Sequence, residues 1–408
     1  MGYSRQAFIG ISWMSGFRVI SRIIATGRGI LLARILTPAQ FGVFGIASIV
    51  LSFLEILTET GINVFLIQER NNIDRFISSA WVVSILRGIL IFLGIIFASP
   101  FIVSFFNITD LYRFLFLISF VPLIRGFINP SIVKFQKELK FKKEFLLRIG
   151  IYLFDSAVSI LLAFIMKDAI GFVWGLIAGA IFELILSFAI FKTRPWLKFE
   201  FNFIKQIINR GKWVTAYGIV NYVAQQGDTI VVGKLLGAAP TGIYQMGYRL
   251  STLPISEISD VVNKVVFPVY TKISEEKERL LRAFKKTLLT VSLSVVILST
   301  IIFFLPRSFF EILLGPQWGE ISTIIKILVI YGMLRAISGV SSSLFLALKK
   351  QNFVAGMTFM RVLVLAITIV PLTSQYGIVG ASVSALLSVL LELPLIGYFI
   401  LKTFKSIK

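Results

Sequence analysis

Long apolar runs set the limits on what this chain can fold into. Twelve can be marked, at 11–36, 41–67, 77–99, 111–132, 149–166, 169–191, 213–235, 241–271, 287–305, 321–348, 353–371 and 378–401. At about 1.5 Å of rise per residue, each is long enough to cross or nearly cross the roughly 30 Å hydrocarbon core of a bilayer as a helix. The runs are continuous and do not alternate at period two, so they do not build an outer-membrane barrel. The expected fold is therefore all-α: a polytopic membrane protein of about 12 transmembrane helices. In such a fold every backbone polar group is satisfied inside its own helix. The second, eighth and tenth runs are long enough to tilt, kink or protrude, and Pro254 and Pro268 favour kinks in the eighth.

The basic residues give the chain a direction. Loops on one side of the twelve runs, together with both termini, hold 26 Lys and Arg, and the opposite loops hold 2, Lys167 and Arg307. By the positive-inside rule both termini are cytoplasmic. The net charge of +21 then reads as attachment to an anionic leaflet, with membrane lipids as partners and no nucleic acid. MGYSRQAF at the start lacks the features of a cleavable signal peptide, so the first run is expected to act as a signal anchor. The loops at 134–148 and 273–286 are amphipathic and are expected to form interfacial helices. The outward loops are too short for a catalytic domain.

Cysteine and histidine are both absent. That excludes disulfides, thiolate or histidine metal sites, Ser-His-Asp triads and histidine proton relays. No GxxxxGK[ST] loop is present, so the chain does not hydrolyse ATP by that route. The expectation is a protein that is not an enzyme and holds no cofactor. Coupling to H+ or Na+, or to the membrane potential, would supply any drive.

An ungapped internal repeat divides the chain. WMSGFRVISRIIATGRGILLARILTPAQFGVF (13–44) matches WVTAYGIVNYVAQQGDTIVVGKLLGAAPTGIY (213–244), with Trp13/Trp213, Gly27/Gly227, Leu36/Leu236 and Gly42/Gly242 identical. A second echo pairs Pro100 with Pro306, and Leu123-Ile124-Arg125-Gly126 with Met333-Leu334-Arg335-Ala336. Two pseudo-symmetric six-helix bundles, 1–200 and 201–408, are expected around a central cavity. Both would enter the membrane in the same sense, as in alternating-access transporters.

The first run carries Arg18, Arg22, Arg28 and Arg34. Charges inside hydrocarbon are costly and usually face a bundle interior or a wet cavity. In the repeat, Arg18 aligns with Gly218, Arg22 with Tyr222 and Arg28 with Asp228, so the first bundle is cationic where the second is neutral or acidic. Within the twelve runs, thirteen basic residues face eight acidic ones. The surplus, mostly arginine, suits bidentate binding of phosphate or carboxylate. Candidate substrate-binding residues are Arg18, Arg22, Arg28 and Arg249, then Arg87, Arg125, Arg335 and Arg361. Asp228 is a candidate ion-coupling site or arginine partner. Arg34, Lys234, Arg113 and Lys326 lie near run ends and are read as snorkelling anchors. Glu55 and Glu59 are expected to neutralise Arg18 or Arg28, and Glu257, Asp260 and Lys264 to form an ion-pair cluster.

Three segments carry a family resemblance. LLARILTPAQFGVFGIA (31–47), GDTIVVGKLLGAAPTGIYQMGYRLSTLP (227–254) and VVFPVYTKIS (265–274) resemble Wzx-type bacterial polysaccharide-lipid flippases. These belong to the multidrug/oligosaccharidyl-lipid/polysaccharide exporter superfamily. The resemblance implies a transporter in the bacterial inner membrane that flips undecaprenyl-pyrophosphate-linked oligosaccharide outward, with polysaccharide assembly proteins as candidate partners. It also implies that arginines of the first and eighth spans, here Arg18, Arg22, Arg28 and Arg249, line the cavity. The lipid II flippases of the superfamily usually carry two more C-terminal spans than the twelve read here. Rival readings are a multidrug antiporter of the same superfamily, whose cationic substrates fit poorly with surplus arginine, and a polysaccharide polymerase or ligase, which would want a sizeable outer loop.

Overall fold

The computed structural model describes residues 3–58, 66–67, 73–197, 218–219 and 222–406. Among these residues there is helix and no strand. The chain divides into two compact units, Met1–Gln226 and Gly227–Lys408. Seven helices are long and apolar enough to cross a membrane, or eight if the bent pair at 111–137 counts as one span. That tally is compatible with twelve spans, since it covers only the described residues and leaves out the charge-bearing helices at Tyr3–Ile35 and Ala238–Lys272.

In the first unit, α1 (Tyr3–Ile35) leads into α2 (Pro38–Leu57) through a turn that TPAQ encodes. Thr37 Oγ1 accepts from the Gln40 N–H and Gln40 Oε1 accepts from the Thr37 N–H, with Pro38 at the first helical position. This reciprocal capping satisfies two of the helix's orphan donors. Next come α3 (Asp74–Phe106), α4 (Leu111–Ile118) and α5 (Phe120–Gly126). The fourth run, expected to continue to 132, bends by 69° before Pro130. There Asn129 Oδ1 accepts from the Ser131 N–H and fixes a tight turn, and the residue before a proline is biased out of the helical region.

α6 (Phe141–Met166) and α7 (Ile170–Ile190) complete the unit. Gly171, Gly175 and Gly179 recur every fourth residue on α7 and face Ala163, Ser159 and Asp155 on α6. A Cβ at Gly175 would lie 2.7 Å from the Asp155 carbonyl oxygen, so the two backbones nearly touch. Small residues at this spacing permit such close approach in lipid.

The second unit begins at Gly227, within α8 (222–236), and continues with α9 (Ala238–Lys272), α10 (Lys277–Phe303), α11 (Arg307–Leu314) and α12 (Ile321–Ala347). α13 (Gln351–Leu390) and α14 (Glu392–Ser406) close it. The helical stretch Gln351–Lys405 is 55 residues long, about 80 Å at the helical rise and more than twice a bilayer core. Gly377, at φ 59 and ψ −140, breaks it between the eleventh and twelfth runs. Only glycine adopts that conformation without penalty. The amphipathic stretches at 134–148 and 273–286 form no long surface helix: Lys134–Lys137 makes a single helical turn, and from Phe141 and from Lys277 onward the stretches are the opening turns of α6 and α10. Each apolar span simply continues its helical hydrogen bonding into the basic segment.

The repeat is visible in backbone detail. Lys140 N–H donates to the Phe135 carbonyl at 2.8 Å, and Lys350 N–H to the Phe345 carbonyl at 2.8 Å. Leu139 and Lys349, at φ 55 and 58, hold the same left-handed position. The offset is 210 residues, the one that also pairs Arg125 with Arg335.

Candidate functional site

Three clusters gather the charges of the spans, two in the first unit and one in the second. In the first, Arg28 of α1 donates to Asp155 Oδ2 of α6 at 3.1 Å. Both side chains are largely buried, at 15% and 10% exposure. Ser159 donates to the other Asp155 oxygen at 3.2 Å. The guanidinium carbon lies 5.6 Å from the Tyr152 ring centre and 5.8 Å from that of Phe172, a cation–π setting that holds the charge away from water. The glycine ladder of α7 seats Asp155. The four-residue glycine spacing is a close-packing signal in the sequence that the sequence reading passed over.

The second cluster closes the end of α2. Gly88 of α3 and Gly126 of α5 pack backbone to backbone: a Cβ at Gly88 would lie 2.6 Å from the Pro122 carbonyl, and one at Gly126 2.9 Å from that of Ser84. Their sequence neighbours Arg87 and Arg125 therefore converge. Arg87 donates to the Glu55 carbonyl at 2.7 Å and to Thr58 Oγ1 at 3.2 Å. Arg125 donates to Glu55 Oε1 at 3.3 Å. Cations at a helix C-terminus satisfy its orphan carbonyls and its dipole. This corrects the expected pairing: Glu55 neutralises Arg125, and Arg28 takes Asp155, because side chains of neighbouring helices meet where the backbones pack and not where sequence spacing pairs them. Glu59 lies outside the described residues. Arg18 is half-buried and Arg22 exposed on α1.

The third cluster lies in the second unit. Asp228 of α8 is buried and accepts from Tyr244 Oη at 2.8 Å and from the Thr229 N–H at 2.6 Å. One turn beyond Tyr244, Tyr248 Oη meets Tyr331 Oη of α12 at 3.3 Å. Arg335 follows Tyr331 by one turn, within electrostatic range of Asp228 and Glu392. Arg361 of α13 lies 3.8 Å from Glu392 of α14, with exposures of 17% and 2%. Asp228 thus ties α8 to α9 through Tyr244 and makes no ion pair among the described residues. Arg249 is half-buried on α9 beside Tyr248. The side chains of Asp260 and Lys264 lie outside the described residues.

Two of the expected anchors also touch the protein. Arg113 is bonded to Asp168 at 2.6 Å, and the Lys326 ammonium lies 5.6 Å from the Phe303 ring centre.

The sequence departs from its own repeat at one decisive place. Arg125 has Glu55; the position 200 residues after Glu55 is Ile255, fully buried and apolar. Arg335, the counterpart of Arg125, has no carboxylate within ion-pair distance among the described residues.

Comparison with known proteins places these clusters in context. Residues 31–323 match the family described as polysaccharide biosynthesis protein. An uncharacterized membrane protein of the cps region of Klebsiella pneumoniae is 27% identical over 91% of this chain and 78% of its own length. The lipopolysaccharide biosynthesis protein WzxC of Escherichia coli (strain K12) is 22% identical over 98% of this chain and 82% of its own. Among solved structures, the lipid II flippase MurJ in an inward closed conformation is similar with a TM-score of 0.76, at 18% identity over 97% of this chain and 90% of that one. An inward-facing multidrug resistance MATE transporter gives 0.67, at 13% identity over 97% and 99%. At such identities both likenesses establish the transporter fold alone.

Proposed function

The chain belongs to the polysaccharide biosynthesis protein family, and on that premise we propose that it flips a lipid-linked oligosaccharide across the bacterial inner membrane by alternating access. The substrate class is a polyprenyl-pyrophosphate glycan, whose pyrophosphate is the anion the intramembrane arginines receive. Both termini face the cytoplasm, following the 26-to-2 division of basic loop residues. The protein acts as a transporter and not as an enzyme, and polysaccharide assembly proteins are its candidate partners.

Arg335 carries this reading. Its counterpart Arg125 is neutralised by Glu55 at 3.3 Å, whereas Arg335 keeps its charge among Tyr248, Tyr331 and Arg361. Arg28, Arg125 and Arg361 hold carboxylates of their own units. An entering pyrophosphate competes for these guanidiniums, and Arg335 is the one it reaches without displacing an acid. Arg18 and Arg22 on α1 and Arg249 on α9 are further candidate contacts for the anion.

The test is export of surface glycan in cells lacking the native protein, with membrane levels checked by immunoblot. Arg335→Ala at normal levels is expected to stop export and to accumulate lipid-linked oligosaccharide on the cytoplasmic face, while Arg335→Lys retains part of the activity. Full export by Arg335→Ala would overturn the assignment.

A further inference from the structure

The second unit holds a buried ion pair that its own duplicate does without. The left-handed residues Lys167 and Gly377 carry the 210-residue offset past the turn between α6 and α7. At that offset Arg361 of α13 corresponds to Ile151, and Glu392 of α14 to Phe182. Two apolar residues therefore suffice at these positions of the fold. A buried pair in their place adds little stability, because exchanging such a pair for well-packed apolar residues is often neutral or stabilising. Arg361 stands ten residues after Gln351 and Glu392 ten residues before Lys402, so each lies about 15 Å along its helix from that basic end. Charges at such depth in a span mark substrate or ion paths.

The pair is also poorly made. Arg361 Nη1 is 3.8 Å from Glu392 Oε2, beyond hydrogen-bond range. That oxygen accepts no hydrogen bond among the described residues, although the glutamate is buried. In the first unit, by contrast, Asp155 accepts from Arg28 at 3.1 Å and from Ser159 at 3.2 Å. A buried carboxylate oxygen without a donor is costly and calls for a reason. Glu392 sits in the first turn of α14, where the helix dipole favours an anion, and Arg335 lies within electrostatic range of it. One acid thus stands loosely before two guanidiniums.

We infer that Glu392 is a stand-in anion: it neutralises Arg361 between substrates and gives Arg361 up to the incoming pyrophosphate, which Arg335 receives first. The inference rests on the flippase reading above and deepens it by naming the group that resets the site. A contact without a hydrogen bond parts readily, so the substrate need not displace a firmly held acid, as it would at Arg28. When Glu392 returns to Arg361, it competes for the guanidinium and speeds release. Glu392 is a positioning residue, since it acts on the substrate through Arg361.

Titration of the full-length protein in detergent with undecaprenyl pyrophosphate, followed by native mass spectrometry, tests this. Glu392→Gln keeps the shape and removes the competing charge. It is expected to bind the probe roughly tenfold more tightly, the order of effect of removing a like charge beside an anion site, yet to export less glycan at normal membrane levels. Undecaprenol, which carries no charge, should bind Glu392→Gln and wild type equally. Arg361→Ile/Glu392→Phe, which copies the first unit, should keep the wild-type heating midpoint, bind the pyrophosphate more weakly than Glu392→Gln, and not export. Unchanged or weaker pyrophosphate binding by Glu392→Gln, equal tightening for undecaprenol, a lowered midpoint in the double variant, or full export by either variant would each overturn the proposal. Arg335→Ala separates the two levels. If it binds the pyrophosphate as wild type does, the flippase reading of the site falls and this inference with it. If it binds more weakly while Glu392→Gln does not tighten, this inference alone fails.

Discussion

Replacing Gly175 by alanine tests whether helix packing, and not charge alone, builds the Arg28 site. The added Cβ would lie 1.8 Å from Ser159 Oγ, 2.7 Å from the Asp155 carbonyl oxygen and 2.9 Å from Asp155 Oδ1. The serine hydroxyl can rotate aside; the carbonyl belongs to the backbone of α6 and cannot. Against an ordinary contact of about 3.4 Å the shortfall is about 0.7 Å, so α6 and α7 must part by roughly that much. Overpacking of this kind costs about 1–3 kcal/mol, and alanine's better helix propensity returns at most about 1 kcal/mol. A net loss of about 1–2 kcal/mol is expected. Asp155 carries both the clashing carbonyl and the carboxylate, so the same movement stretches the Arg28 contact from 3.1 Å beyond the normal hydrogen-bond range of about 3.2 Å. The assay is the heating midpoint of detergent-purified protein by size-exclusion fluorescence, run beside glycan export. Gly150→Ala on α6 is the control: nothing lies within 4 Å of its Cβ position, so it should be neutral or slightly stabilising. Adding Ser159→Ala to Gly175→Ala should restore only part of the loss, since the carbonyl clash remains. If Gly175→Ala matches Gly150→Ala, or if Ser159→Ala restores it fully, the backbone-contact argument fails.

Two further perturbations separate structural from substrate charges. Asp155→Ala leaves Arg28 largely buried without its acid, and removing one partner of a buried pair costs about 3–5 kcal/mol; the apolar double variant Arg28→Met/Asp155→Leu should recover thermal stability in the same heating assay yet not export. At the end of α2, Glu55→Gln should cost under about 1 kcal/mol, because the Arg125 contact is half exposed. Arg87→Ala should cost more, about 1–3 kcal/mol, since it strips two charge-assisted bonds from the Glu55 carbonyl and Thr58; equal midpoints for the two variants would contradict the capping role.

The helical membrane class was legible because long apolar runs leave the backbone few choices; the cap chemistry of TPAQ, which starts α2 at Pro38, was there to be read as well. The partners of the arginines were not legible. Arg28 and Asp155 stand 127 residues apart, and only packing of α1 and α7 against α6 brings them together. The sequence did hold the packing signal, in the four-residue spacing of Gly171, Gly175 and Gly179, but a glycine ladder names no partner helix. The repeat was legible as landmarks, and its deeper use required the backbone. With the ungapped repeat setting the offset at 200 up to α2, and the left-handed residues Leu139 and Lys349 setting it at 210 farther along, each charge in one unit can be asked what its counterpart does. Where the counterpart keeps its acid, as Arg125 does with Glu55 and Lys140 with Glu138, the charge is held by the protein itself. Where the acid has become Ile255, Arg335 stays in place among tyrosines with no carboxylate at ion-pair distance among the described residues. A duplicated fold could drop the cation as readily as the acid, and a buried or half-buried charge without an acid is expensive unless something else neutralises it. The retained charge at Arg335 therefore points toward an anion that comes from outside the chain.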